Sequence, residues 1–191
     1  MPSASFRVWQ NDRMARLSLV DTQCAASFAA VPPTNLADEN LRGYVMLLSA
    51  HFQGFCRDLY SECIQLVAAA APAGMKLMIQ RQGEARHQLG KGNPSFENIR
   101  EDFERFGFDL NDALMVPDAK KTVNEPRVTH IGLLNKWRNY AAHHSTSPPS
   151  GAGPFDLATV QSWKNSCDGL AAELDGIMYN QLQAIIGAPP W

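Results

Sequence analysis

Residues 41–67 read LRGYVMLLSAHFQGFCRDLYSECIQLV, and the fold turns on how their apolar positions recur. Leu41, Tyr44, Val45, Leu48, Phe52, Phe55, Leu59, Cys63, Leu66 and Val67 fall at steps of three and four. That period draws one stripe along a helix, whereas a half-buried strand alternates at every second residue. The stripe is sustained for several turns. It predicts a long helix over 36–71, closed by Pro72 and Gly74.

The same period extends outward in both directions. Upstream, Trp9, Arg13, Leu17, Val20, Cys24 and Phe28 mark a first helix over 5–30, broken by Val31-Pro32-Pro33-Thr34-Asn35. Downstream, a third helix is expected over 75–89, ended by Gly90-Lys91-Gly92-Asn93-Pro94. A fourth over 96–106 has Ser95 as its N-cap and Phe96, Ile99, Phe103 and Phe106 on its apolar side. Residues 107–125 read as an irregular connection with one helical turn near Asn111 to Met115. Pro126 suits the first position of a helix, which predicts 126–144. Ser145-Thr146-Ser147-Pro148-Pro149-Ser150-Gly151-Ala152-Gly153-Pro154 reads as a linker on composition. Asp156 caps a last helix over 157–186, and Pro189-Pro190-Trp191 form the tail. No strand pattern and no internal repeat interrupts this order. The expectation is an all-α chain forming a single domain over 1–191, a bundle of four long helices with one or two short ones.

Composition narrows the function classes. The 191 residues are 45% hydrophobic, enough for a packed core without covalent staples. The net charge of -2 supplies no bulk positive field. Any nucleic acid must therefore be held by a local basic patch, which counts against a general DNA coat protein. Cys24, Cys56, Cys63 and Cys167 contain no CxxC pair. They read as buried reduced thiols, as expected of a cytoplasmic protein. No secretory signal pattern opens the chain and no apolar run reaches about 20 residues, so no membrane partner is expected.

One segment looks built for chemistry: Trp137-Arg138-Asn139-Tyr140-Ala141-Ala142-His143-His144. At about 100° per residue, Leu134, Trp137 and Ala141 share the core side, with His130 above them. Measured from Leu134, Arg138 lies at about 40°, Asn139 at about 140° and His143 at about 180°. These three form a polar edge separated by the small residues Asn135 and Ala142. Asn139 and His143, four apart, share a face; Arg138 and His143, five apart, do not stack and converge only through arginine's reach. The set suits RNA cleavage by attack of the 2′-hydroxyl on its own phosphate. An imidazole titrates near neutral pH, so His143 fits as base or acid. Arg138 offers a charged donor fork to the phosphate oxygens, and Asn139 can orient the phosphate or the imidazole. No carboxylate cluster adjoins them, so no metal or other cofactor is called for.

Arg138-Asn139-Tyr140-Ala141-Ala142-His143 resembles the signature of HEPN ribonucleases, an arginine and a polar residue followed after three positions by histidine. The lead-in Ile131-Gly132-Leu133-Leu134-Asn135-Lys136-Trp137 is similar to theirs. Leu41 to Phe52 resembles the early long helix of the HEPN branch akin to the RiboL-PSP group. The resemblance implies a helical bundle that homodimerises so that two motifs meet in a cleft. It also implies metal-independent cleavage leaving a 2′,3′-cyclic phosphate, with RNA as substrate and Arg138, Asn139 and His143 as catalytic residues. Many such proteins serve in toxin–antitoxin, antiviral defence or RNA-processing systems, so an antitoxin or other defence-system protein is an implied partner. His144 departs from the small residue many members carry there; it and His51 are candidates for supporting roles. The alternative is a non-catalytic helical module binding nucleotide, RNA or a protein partner through the same groove. Arg57, Asp58 and Glu62 read as a solvated or dimer-contacting face, Lys120-Lys121 as ordinary loop residues, and Trp137 and Trp163 as core or interface.

Overall fold

The computed structural model describes residues 1–29, 35–85, 87–90, 93–143 and 147–191, and among these no strand occurs. The chain is an all-α bundle. Its spine is α3, Asn35–Ala70. The predicted stripe is inside: Leu41, Tyr44, Val45, Leu48, Phe52, Phe55, Leu59 and Cys63 are all buried. Around the spine pack α1 (Ala4–Val8), α2 (Met14–Ala29), α4 (Ala73–Glu84), α7 (Asp118–His143) and α8 (Leu157–Ile186). The short α5 (Phe96–Phe103) and α6 (Leu110–Met115) fill the connection ahead of α7. Trp163 on α8 is buried beside the spine, and all four cysteines are buried free thiols.

The first helix is interrupted. Between α1 and α2 the chain makes one wide π turn, Trp9–Arg13. The turn seats Trp9 against Phe52 and Phe55, with ring centroids 5.9 and 5.5 Å away. It also lays Arg13 along the spine, where Nη1 donates to the His51 carbonyl and Nη2 pairs with Asp58. A side chain on Gly54 would meet that guanidinium, its Cβ falling 2.1 Å from Arg13 Nη1. The expected apolar stripe of this helix thus contains a bound cation at Arg13 and stops short of Phe28, which is exposed. Glu62 is not a solvated bystander: its carboxylate accepts from Ala4 N, Ser5 N and Ser5 Oγ at the start of α1. Those are the backbone donors a helix start leaves unpaired.

Capping chemistry sets several boundaries as the sequence predicts. Ser95 Oγ accepts from Asn98 N at the start of α5, and Asp156 accepts from Thr159 N at the start of α8. Gly187, at φ 79°, ends α8 in the left-handed conformation that glycine adopts without a Cβ clash. The third helix is shorter than expected, stopping at Glu84, after which a 3₁₀ turn spans Gln88–Gly90.

The start of α7 corrects the sequence reading. Pro126 lies inside the helix, not at its first position, and Lys120 and Lys121 stand on its opening turns. An interior proline removes one backbone hydrogen bond and costs about 3 kcal/mol. Side chains tie this turn to its neighbours and offset that cost. Buried Asn124 donates to the Leu114 carbonyl at 2.9 Å, and Arg127 donates to Asn124 Oδ1 at 2.9 Å. Lys120 reaches the Ala113 carbonyl and pairs with Glu173 at 3.7 Å. The supposed loop is therefore largely helical, with α6 folded against α7.

The proline- and glycine-rich stretch after α7 is also more than a linker. Ala152 is buried, and its carbonyl accepts from Trp137 Nε1 at 3.2 Å. Phe155 stacks on the Trp137 ring at 4.3 Å and 12°. The segment 147–155 returns along the end of α7 and becomes one wall of the site below.

Candidate functional site

The last two turns of α7 have a buried back and a polar front. Ile131, Leu134, Trp137 and Ala141 face the core. Trp137 lies between Phe155 and the edge-on ring of Tyr140 at 5.2 Å. In front, a shallow concavity of about 240 Å³ is lined by Lys136, Asn139, Tyr140, His143, Ser147 and Pro149. The four helical residues stand at i, i+3, i+4 and i+7, one face of the helix. The returning segment supplies the opposite wall.

Asn139 and His143 are thus brought together, as their four-residue spacing requires. Arg138 is not among the residues lining the concavity; it joins through Asn139, donating from Nη1 to Asn139 Oδ1 at 3.2 Å. The 140° or so separating Arg138 from His143 on the helix is the reason. Asn139 Oδ1 takes a second donor, Asn93 Nδ2, at 2.7 Å. A carbonyl oxygen has two lone pairs, so this amide is oriented with its oxygen engaged and its NH₂ left as the donating end.

Asn93 belongs to a turn held by asparagines. Its carbonyl accepts from Asn98 Nδ2 at 2.8 Å, and the adjacent Pro94 carbonyl accepts from Asn135 Nδ2 at 3.1 Å. Asn135 is therefore not a small spacer. It is buried and pins the 93–95 turn to α7, while its Oδ1 has no hydrogen-bond partner among the described residues. On the other flank, Arg42 of α3 lies 4.7 Å from the Tyr140 ring centroid, donates to Tyr140 Oη at 3.2 Å and pairs with Asp38 at 2.8 Å. That contact locks Tyr140 and ties the front of α7 to the spine.

The supporting histidines separate. His51 sits half-buried on α3 and does not line this concavity. Burial lowers its pKa, and the charges of Arg13 and Arg16 lower it further. His144 lies outside the described residues. His130, further back on α7, bonds Ser166 Oγ at 2.8 Å, and burial lowers its pKa as well. Among the described residues no three His, Cys, Asp or Glu side chains are grouped closely enough to hold a metal ion. No helix of the described residues is long and apolar enough to cross a membrane.

Sequence reasoning missed Lys136 and Asn93. The signal for Lys136 was present, since 136, 139, 140 and 143 repeat at helical spacing. Asn93 had no local signal: it comes from a turn more than forty positions away in sequence. Comparison with protein family models, curated proteins and solved structures finds no match.

Proposed function

We propose that the protein is a metal-independent endoribonuclease of the HEPN type, with Arg138, Asn139 and His143 as its catalytic residues. One observation carries this reading. Asn139 and His143 share a solvent-open concavity with the cation of Lys136, and Arg138 is coupled to it through Asn139. A scissile phosphate there would meet an imidazole, an oriented amide donor and a local positive charge in a chain whose net charge is -2. His143 takes the proton from the 2′-hydroxyl, whose oxygen bonds to phosphorus as the bond to the 5′-oxygen breaks. Arg138 and Lys136 stabilise the charge gathering on the phosphate oxygens. The leaving 5′-oxygen needs a proton, and a single α7 edge holds one motif histidine. A homodimer that opposes two such edges would provide the second acid and bring Arg138 toward the phosphate. An RNase active without a cofactor must be restrained in a cell, which accords with a toxin or phage-defence component held by an antitoxin or other defence-system protein.

A second reading is a helical module that binds nucleotide, RNA or a protein partner without cutting. The position of Arg138 beside the concavity, not in it, favours this alternative. The deciding experiment incubates purified protein with RNA in EDTA and examines the product ends. Cleavage leaving 2′,3′-cyclic phosphates, lost in His143→Ala, supports the enzyme. Full cleavage by a variant with both His143 and His144 replaced overturns it, and saturable RNA binding with no cleavage establishes the module.

A further inference from the structure

The side chains lining the α7 concavity differ in what each has left to offer a ligand. Lys136 carries donors and no acceptor, and Asn139 has its oxygen engaged and its NH₂ turned to donate. None of the described lining residues is Asp or Glu. An anion rich in acceptor oxygens is the complement of such a wall.

Tyr140 stands in the middle of this face, four residues after Lys136 and three before His143. Its ring is held from two directions. Trp137 meets it edge-on, and Arg42 of the spine lies along it, with Cζ 4.7 Å from the ring centroid and Nη2 donating to Oη at 3.2 Å. Arg42 is itself paired: Nε lies 2.8 Å from Asp38 and 3.8 Å from Glu39. Two carboxylates offset its charge, so it acts as a strut and not as a ligand for an incoming anion. The hydroxyl it holds is different. A phenol has one O–H donor and two lone pairs. Arg42 occupies a lone pair, and among the described residues no group accepts the O–H. Accepting from a cation also polarises the phenol and strengthens it as a donor. The fold thus fixes the oxygen of a hydroxyl on the wall that faces a ligand and leaves its proton unengaged.

We propose that Tyr140 is a further phosphate-binding residue of this site. Its O–H donates to a non-bridging oxygen of the RNA phosphate seated in the concavity, and Arg42 is the positioning residue that aims it. The inference rests on the reading of the concavity as an RNA site and adds a neutral donor to it. The proton stays on the phenol throughout, and no bond is made or broken at Tyr140. A neutral donor suits the position: it strengthens as charge gathers on the phosphate oxygens, and it does not compete with His143 for the proton of the 2′-hydroxyl.

Tyr140→Phe on the full chain tests this, since it removes the O–H and keeps the ring with its contacts to Trp137 and Arg42. Two probes are used: a single-stranded RNA of mixed sequence, and the same sequence methylated at every 2′-oxygen, which cannot be cut because its attacking hydroxyl is blocked. The variant should slow single-turnover cleavage of the first by about ten- to a hundredfold, the loss expected of a hydrogen bond to a charged group. Fluorescence anisotropy should show its affinity for the second down about tenfold, the lower end of the same range, with an unchanged melting temperature. Arg42→Met keeps the hydroxyl but loosens its aim, and should cost less than Tyr140→Phe on both readouts. Wild-type cleavage and wild-type affinity in Tyr140→Phe overturn the proposal and leave the ribonuclease reading standing. An Arg42→Met loss as large as that of Tyr140→Phe, and no larger in the double variant, also overturns it, because the hydroxyl would then serve only to hold Arg42. Wild-type protein that binds the methylated strand but cuts nothing, with binding weakened in Tyr140→Phe, refutes the ribonuclease reading and keeps the phosphate contact. Wild-type protein that neither cuts nor binds overturns both.

Discussion

Two concavities of this bundle, one beneath α4 and one at the end of α7, differ in volume, in polarity and in what supports them. The one beneath α4 is larger and mainly apolar. The one at the end of α7 is less than half that volume and carries an imidazole, an amide, a phenol and an ammonium on one helical face. Size measures how much apolar surface a ligand could cover; chemistry needs charge and proton transfer at short range. The smaller site is therefore the better place to stabilise a developing phosphate charge, and the larger the better place to hold a hydrocarbon. Their support differs too. The α7 edge is backed by Trp137 and by two clamps, Asn93–Asn139 and Arg42–Tyr140. The roof of the other site has no buried residue of its own.

The difference can be broken most severely at His143. His143→Ala should lower RNA cleavage by about 10²–10⁴-fold, the usual contribution of a positioned acid or base. Because the residue is exposed, the melting temperature should stay nearly unchanged. A large fall in stability with cleavage retained would invert the assignment. Trp137→Ala attacks the back of the same edge. It removes a buried indole, its stack on Phe155 and its bond to Ala152, at about 3–5 kcal/mol. Thermal denaturation should show a midpoint lower by roughly 10 °C or more, with cleavage per folded molecule reduced as the edge loosens. Unaltered kinetics in the folded fraction would show that the edge does not depend on its backing.

Gly83→Ala acts on the other concavity alone. The added methyl meets three atoms of Ile64, an overpacking of about 1–3 kcal/mol, set against a gain of about 1 kcal/mol in helix propensity. A small net loss of stability is expected, visible as a few degrees in the melting midpoint, with RNA cleavage untouched. A rise in the midpoint would mean that α4 moves off the spine without cost. The smallest effect is expected from pH. Burial lowers the pKa of His130 and of His51, so the folded state disfavours their charged forms while the unfolded chain titrates near the ordinary value of about 6.5. The unfolded state then binds more protons as pH falls below about 6.5, and stability declines from there down to the folded pKa values. Urea midpoints at pH 7.5 and 5.5 should show that decline, shallower in His130→Gln.

Helix period and caps were legible from residue types alone. Hydrophobic spacing over 41–67 depends on one helix's own geometry, and Ser95 and Asp156 announce their helices because a cap acts within three residues. The shared helical face of Asn139 and His143 was legible for the same reason. The helical start of α7 was not. Pro126 carries a strong local signal to begin a helix, and Asn124 bonding to Leu114 and Lys120 bonding to Ala113, both outside α7, override it. Composition likewise reads 147–155 as a linker, because stacking on Trp137 is invisible in a list of prolines and glycines.

By itself, then, the sequence determined the all-α class, the buried stripe of α3 and the polar face at the end of α7, all consequences of interactions a few residues apart. Only the tertiary structure decided that Asn93 orients Asn139, that Arg42 holds Tyr140, that Arg138 reaches the site through a neighbour and that His51 lies elsewhere. Those are contacts between segments distant along the chain. They form only when burial of the core brings the helices together, and a short-range pattern carries no record of them.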